Sequence, residues 1–322
     1  MARVSLKQCM ACLRAKINIV SSSLASLATL NRGARALPRN KFVPRPNLVL
    51  YEYEGSPFCR RVRETLTLLD LHHEVRPTPR ETLRSEGKFG VLSRYRGQIA
   101  HYPRAKMMFP FLVDHTAGIY LNESNAIVSH LWERYGDSVI GDHRSTFRLW
   151  YTNTENRRTV LLSTFFGQML PGAASNLVVD YDMPRLLAAS LLRPLPHMGT
   201  FVTPSKDIPE NFLQLRLWGF EACPRSRLIR EALSTLQLPY RMCTSGEGSP
   251  TRDELEHNNG STVRLPVLED RNAGLRWEGD EWCAAVQYLF ETYATGPTLP
   301  LWSPIPNAPQ KTTNEPKDNG NC

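Results

Sequence analysis

The 322-residue chain is 41% hydrophobic and 22% charged, long enough to bury two ordinary cores, and lacks any run of about 20 apolar residues of the kind that spans a bilayer. Its net charge of +8 suggests a polyanion partner at first sight, but the first 46 residues alone carry nine Lys or Arg and no acid, so the remainder is near neutral and nucleic acid is not the expected partner. Of seven cysteines, Cys9 and Cys12 lie in the first 46 residues, and the other five, without paired spacing, argue against a disulfide framework or a zinc cluster and fit reduced thiols in a reducing compartment.

The first 46 residues are Arg-rich and acid-free, with Ser21, Ser22, Ser23 and Ser26 set among Ala and Leu. This is the composition of an organellar transit peptide, and residues 1–46 are therefore set outside the fold as a disordered leader, with the mature chain starting between Leu30 and Pro46. Leu6, Met10, Leu13, Ile17 and Val20 make one face of an amphipathic helix, which suits a mitochondrion, whereas the serine cluster suits a plastid. Both organelles stay open.

Residues 47–136 form the first predicted module. The run Leu48-Val49-Leu50-Tyr51 is a short apolar strand, Pro57 opens a helix that runs to about Asp70, and His73-Glu74-Val75-Arg76 returns as a strand, a β-α-β unit. After a basic stretch to Arg104 come a strand over Met108–Asp114, a turn at Ala117-Gly118, a strand through Tyr120, and a helix from Glu123 to Tyr135. Residues 137–210 hold apolar patches, Val160-Leu161-Leu162 and Phe165-Phe166 among them, and read as one or two helices plus a linker. A second module, 211–294, repeats the first, and 295–322 reads as a disordered tail rich in Pro, Asn, Thr and Lys.

The repeat is ungapped around its most distinctive stretch. A shift of 167 positions places Ser56 on Cys223, Pro57 on Pro224, Cys59 on Ser226, and Arg60, Arg63 and Glu64 on Arg227, Arg230 and Glu231. Val62, Leu66 and Leu69 fall on Ile229, Leu233 and Leu236, a helical core stripe in both copies. Pro110 recurs as Pro266 at the head of an apolar strand, where a cis peptide bond is expected.

Cys223 is the leading candidate for chemistry. It closes a strand and opens a helix, where unpaired N–H groups and the positive end of the macrodipole favour a thiolate. Pro224 suits the first helical position, and Arg225 and Arg227 add positive charge. A buried structural cysteine is the competing reading.

This order of strand, Cys-Pro-x-Ser or Ser-Pro-x-Cys turn, helix, strand, proline-led strand, hairpin and closing helix resembles the thioredoxin fold in its glutaredoxin and glutathione-transferase N-terminal form. The expected fold is α/β: two tandem thioredoxin-like modules, each a mixed four-stranded sheet flanked by helices. More closely, the chain resembles plant and algal proteins that carry two such domains behind a transit peptide. The resemblance implies that Cys223 is the nucleophile, that Ser56 and Cys59 take the nucleophile and resolving positions of the first copy, and that Pro110 and Pro266 lie beside the backbone that pairs with glutathione. It also implies that Glu123 and Ser124 hold the γ-glutamyl end; Arg225 joins this set through its charge. In the second copy Trp282 or Gly279 stands for the binding serine, depending on where the gap falls.

The function implied is a glutathione-dependent thiol transferase or reductase acting through a monothiol site, with glutathione as co-substrate and a disulfide or electrophile as the other reactant. The alternative is a non-catalytic binding or scaffold protein of two degenerate modules packed as an internal pseudo-dimer.

Overall fold

The computed structural model describes residues 6–37, 45–80, 93–103, 105–136, 182–193, 199–200, 202–203, 205–209 and 212–295. The patches around Val160 and Phe165 and the tail beyond Thr295 lie outside these residues. The elements are α1 (Leu6–Ala28), β1 (Leu48–Glu52), α2 (Pro57–Leu68), β2 (His73–Pro77), a 3-10 turn (Gly97–His101), β3 (Phe111–Asp114), β4 (Ile119–Asn122) and α3 (Ser124–Tyr135). They continue as α4 (Asp182–Leu191), β5 (Leu215–Gly219), α5 (Pro224–Thr235), β6 (Tyr240–Thr244), α6 (Pro250–Asn259), β7 (Val267–Asp270), β8 (Leu275–Glu278), a second 3-10 turn (Gly279–Glu281) and α7 (Trp282–Tyr293).

Each repeat builds the predicted unit. β1 pairs in parallel with β2 and antiparallel with β3, which pairs with β4; β5 to β8 repeat the pattern. β1 is buried along its whole length because both faces are covered. Leu48 and Leu50 face Val62, Leu66, Ile127 and Leu131 from α2 and α3, while Val49 and Tyr51 face Tyr95, Ile99 and Phe111. The predicted stripe Ile229, Leu233 and Leu236 lies in the second core with Leu217, Leu268 and Leu289. Asp114 fastens each hairpin to its closing helix: its carboxylate accepts the Ala117 N–H at 3.0 Å and the Tyr135 hydroxyl at 2.7 Å, and Asp270 does the same with Tyr293 at 2.6 Å.

The two sheets are not separate. β2 pairs antiparallel with β6, Val75 opposite Tyr240, and the result is one eight-stranded sheet in the order β4-β3-β1-β2-β6-β5-β7-β8. An edge strand carries unpaired N–H and C=O groups, and here each module covers the other's edge.

The expectation that the first 46 residues are disordered needs correction over residues 6–37. Residues 6–28 form α1, which docks on α5 of the second module through serines: the Ser22 hydroxyl donates to the Pro224 carbonyl at 2.8 Å and the Ser26 hydroxyl to the Ala222 carbonyl at 2.7 Å. α4 mirrors it on the first module, where the Ser190 hydroxyl donates to the Gly55 carbonyl at 3.2 Å and Arg60 to the Leu186 carbonyl at 3.4 Å. The repeat is thus a helix plus a module, with each helix exchanged onto the other half. A cut between Leu30 and Pro46 would detach α1 from α5. Targeting composition reports charge and residue type; it does not report that serines at this spacing meet open carbonyls.

The arginines of the repeated stretch meet at the pseudo-two-fold axis. Arg63 pairs with Glu221 at 2.8 Å and Arg230 with Glu54 at 2.8 Å, while Arg60 reaches Glu221 at 3.3 Å and Arg227 reaches Glu54 at 3.7 Å. Arg63 also holds Glu52. Every one of these side chains is buried. Gly33 (φ +74°) and Gly199 (φ +63°) admit this closeness, since a Cβ at Gly33 would sit 2.8 Å from the Glu221 Cβ and one at Gly199 3.0 Å from that of Glu54. Removing one partner from a buried ion cluster leaves uncompensated charge, which costs about 3–5 kcal/mol. Glu221→Gln is therefore expected to lower unfolding free energy by about that amount, with both modules melting in one transition in urea, monitored by far-UV circular dichroism.

Candidate functional site

In each module the strand-to-helix turn, the proline loop and the start of the closing helix lie at one end of the sheet. The register sets this: Tyr51 opposes Phe111, which opposes Asn122, and Trp218 opposes Val267, which opposes Glu278. Phe109–Pro110 and Leu265–Pro266 are both cis.

Ser56 is the N-cap of α2 and its hydroxyl accepts the Cys59 N–H at 3.3 Å; Cys223 is the N-cap of α5 and its sulfur accepts the Ser226 N–H at 3.4 Å. The nucleophile positions thus also cap their helices. Both are buried, Cys223 to 5% exposure. Gly219 makes room for Ser226, because a Cβ there would fall 2.4 Å from the Ser226 hydroxyl. Its counterpart in the first module is Glu52.

Cys59 requires correction as a catalytic candidate. It is fully enclosed, and burial, with Glu52 adding its negative charge, pushes its thiol up to about 12. A thiol so held does not supply thiolate at neutral pH. The sequence places Cys59 at a resolving position; it does not show the carboxylate that β1 sets behind it.

The closing-helix starts differ between modules. Glu123 has φ +71°, a conformation uncommon outside glycine, and Ser124 opens α3. Arg61, buried on α2, donates to the Asn125 side chain in that first turn. A buried guanidinium thus stands behind a helix N-terminus, and both favour an anion. In the second module Gly279, φ +50°, takes the place of Glu123, and Asp280 follows it. Two residues are inserted before α7, so the serine's place along the chain is held by Asp280, which neither sequence alternative named.

Asp280 binds Arg225 at 2.6 Å and Arg264 at 3.2 Å. Arg225 is therefore engaged by an acid in the structure, and that acid sits where the resemblance implies a carboxylate ligand. Arg227 is likewise drawn into the central cluster, its guanidinium donating to the Ser22 carbonyl at 2.5 Å and the Ser26 hydroxyl at 2.9 Å. Sequence reasoning missed Arg61, Asn125 and Asp280 as site residues, and Glu54 and Glu221 as partners of the repeated arginines. The last pair carried a signal, since Glu54 and Glu221 obey the same 167-residue shift.

Among the described residues no group of His, Cys, Asp and Glu could hold a metal ion, Cys59 and Cys223 are free thiols, and no helix is long and apolar enough to cross a membrane.

A strand order with cis-proline loops and helix-capping Ser or Cys at the same sheet end defines a protein of thioredoxin-like modules. Residues 50–139 and 217–297 both match the family model for the glutathione S-transferase N-terminal domain, and with more than half its length so matched the chain belongs to that family. Among solved structures, it is similar to the glutathione transferase URE2P6 from Phanerochaete chrysosporium in complex with oxidized glutathione, at 17% identity and a TM-score of 0.23. That match covers 44% of this chain and 66% of the other, less than two thirds of its length. No curated protein gives a significant match.

The seam between modules is also where protonation matters. Burial pushes His72 down to about 3 and His73 down to about 4 from an ordinary 6.5, and it pushes Glu52 up to about 7 against the pull of Arg63. The histidines contribute stability that is present above 6.5 and lost as pH falls towards 4 and 3. Glu52 contributes stability that is complete below 4.5 and lost as pH rises through 7. Near neutrality the two trends cancel. Between pH 6 and 5 the Glu52 carboxyl opposes the two histidines, so Glu52→Gln should make stability fall with pH more steeply than in the unaltered chain, by about 1.4 kcal/mol per pH unit, measured by urea unfolding across pH.

Proposed function

We propose that this chain is a glutathione-recognising protein whose first module is the binding site. The observation that carries the reading is the start of α3: Ser124 follows a residue at positive φ, and Arg61 lies behind the same helix turn. A γ-glutamyl carboxylate placed there would accept from the Ser124 hydroxyl and from helix N–H groups, with the buried charge of Arg61 adding attraction. The backbone beside Pro110 would then take the cysteinyl part, as the family resemblance implies, and Ser56 would face the glutathione thiol. In the second module Asp280 would repel the same carboxylate, so Pro266 and Arg225 make a weak site.

A second reading, monothiol exchange at Cys223, is favoured by the sulfur accepting the Ser226 N–H at a helix start. In that reaction the Cys223 thiolate attacks the glutathionyl sulfur of a mixed disulfide and releases the substrate thiolate, which takes up a proton. A free glutathione thiolate then attacks the Cys223–glutathione disulfide, giving oxidised glutathione and restoring Cys223; Ser226 has no sulfur with which to resolve it. Asp280, which stands in that module where the glutathione carboxylate would bind, ranks this second. The organelle implied by the leader composition, plastid or mitochondrion, belongs to the same proposal.

Calorimetric titration of the full chain with glutathione tests the first reading: Ser124→Ala should weaken binding about ten- to hundredfold, the loss of a hydrogen bond to a charged group. Unchanged affinity in Ser124→Ala would refute the site. For exchange, glutathione-dependent reduction of a small mixed disulfide should vanish in Cys223→Ser and persist in Cys59→Ser; activity that survives Cys223→Ser would remove the second reading.

A further inference from the structure

α1 is an inside-out helix. The face it turns to α5 and α4 consists of Asn18, Ser22, Ala25, Ser26 and Thr29, all buried. Leu13, Ile17, Val20, Leu24 and Leu27 point the other way and are between 46% and 58% exposed. Polar groups thus dock the helix, through the bonds of Ser22 and Ser26 described above, with Ile19 packed against the second core, while the five exposed apolar side chains of the stripe point away from it. α4 lies against α1 and adds Leu187 and Leu191, also exposed.

The spacing of the exposed residues says what covers them. Steps of four, three, four and three repeat along the stripe, and the sequence carries the pattern back through Met10 to Leu6. A two-in-seven seam with a period of 3.5 is the narrow stripe by which one helix packs on another in a coiled coil. A helix that lies on a membrane shows a broader apolar face bounded by a charged one, whereas here the opposite face is serine and is buried in protein. A second copy of this chain supplies a matching seam.

Charge fixes the orientation. Within α1 the positive residues Lys7, Arg14 and Lys16 lie in the first part, and the helix has no acid. Parallel helices would set these charges side by side, while antiparallel helices set Arg14 and Lys16 opposite an uncharged end. We propose that α1 is the seam of an isologous homodimer, in which Leu13 meets Leu27 of the partner subunit, Ile17 meets Leu24 of the partner subunit and Val20 meets Val20 of the partner subunit.

Analytical ultracentrifugation of the full chain tests this. The unaltered protein should be a dimer at tens of micromolar. Val20→Lys and Val20→Glu should each be monomeric, with helix content unchanged because Val20 makes no contact within its own chain's core, and an equal mixture of the two should recover the dimer as Lys meets Glu. Leu24→Gln, a neutral change, should weaken the dimer at least tenfold. The proposal is overturned by an unaltered chain that is monomeric, by a dimer that survives both Val20 variants, or by a mixture that stays monomeric. A monomer that binds phosphatidylserine vesicles and loses that binding in Leu24→Gln would equally overturn it, assigning the stripe to lipid.

Discussion

Everything in this molecule is arranged around a set of buried guanidinium–carboxylate contacts where the two halves meet. Arg60, Arg63, Arg227 and Arg230 converge on Glu54 and Glu221, with Glu52 added on one side only. Taking such charges out of water is expensive, and their mutual attraction in the interior offsets that cost only when geometry is good and the remaining donors are bonded. The backbone supplies further acceptors: Arg63 donates to the Glu54 carbonyl and Arg230 to the Glu221 carbonyl, both at 3.2 Å. Arg185 and Arg193 close the periphery by bidentate pairs with Glu64 and Glu231. A cluster of this kind tolerates little displacement, so it fixes how β2 and β6 align.

That arrangement changes the meaning of the repeated stretch. Arginines after a Cys-Pro turn read as activators of a thiol, yet Arg227 bonds Ser22 and Ser26 of α1, and Arg230 bonds Glu54 of the opposite module and the Phe220 and Glu221 carbonyls of its own. The chemistry left over is unevenly divided. The first module keeps the serine at the start of its closing helix and has lost the sulfur at its turn, whereas the second keeps the sulfur and carries an aspartate where the serine would be. Each half departs from the family pattern at a different point, while the charged contacts between them obey the repeat almost residue for residue. The constraint shared by both halves is the interface.

The modules were legible because their signals are local. An apolar run, a Pro at the first helical position and an i, i+4, i+7 stripe specify β1, α2 and their copies without reference to anything distant, and the ungapped repeat ties them together. The single sheet was not legible, since nothing in His73–Pro77 distinguishes an edge open to solvent from one paired to Tyr240–Thr244. Nor was α1. Its buried serines and exposed leucines reverse the usual pattern, and the clue that it is structural, Ala25-Ser26-Leu27 recurring as Ala189-Ser190-Leu191, is only three residues long. At the site, Cys223 was singled out from turn chemistry and Ser124 from the family resemblance, but Asp280 was hidden by a two-residue insertion, and Arg61 by its position one turn inside a helix that reads as core.

The exchange of α1 and α4 between halves bears on how the chain reaches this state during synthesis. Ser22 and the Arg227 that grips it are 205 residues apart. At about 5–20 residues per second, α1 leaves the ribosome roughly 10–40 s before the surface it rests on exists. The first module likewise waits for α4 to cover α2, so neither half can be completed from its own residues. Contacts of such long range make folding slow and leave apolar surface uncovered in the interval. A ribosome that stalls before β5 therefore leaves a fragment with an open strand edge at β2 and half of an ion cluster.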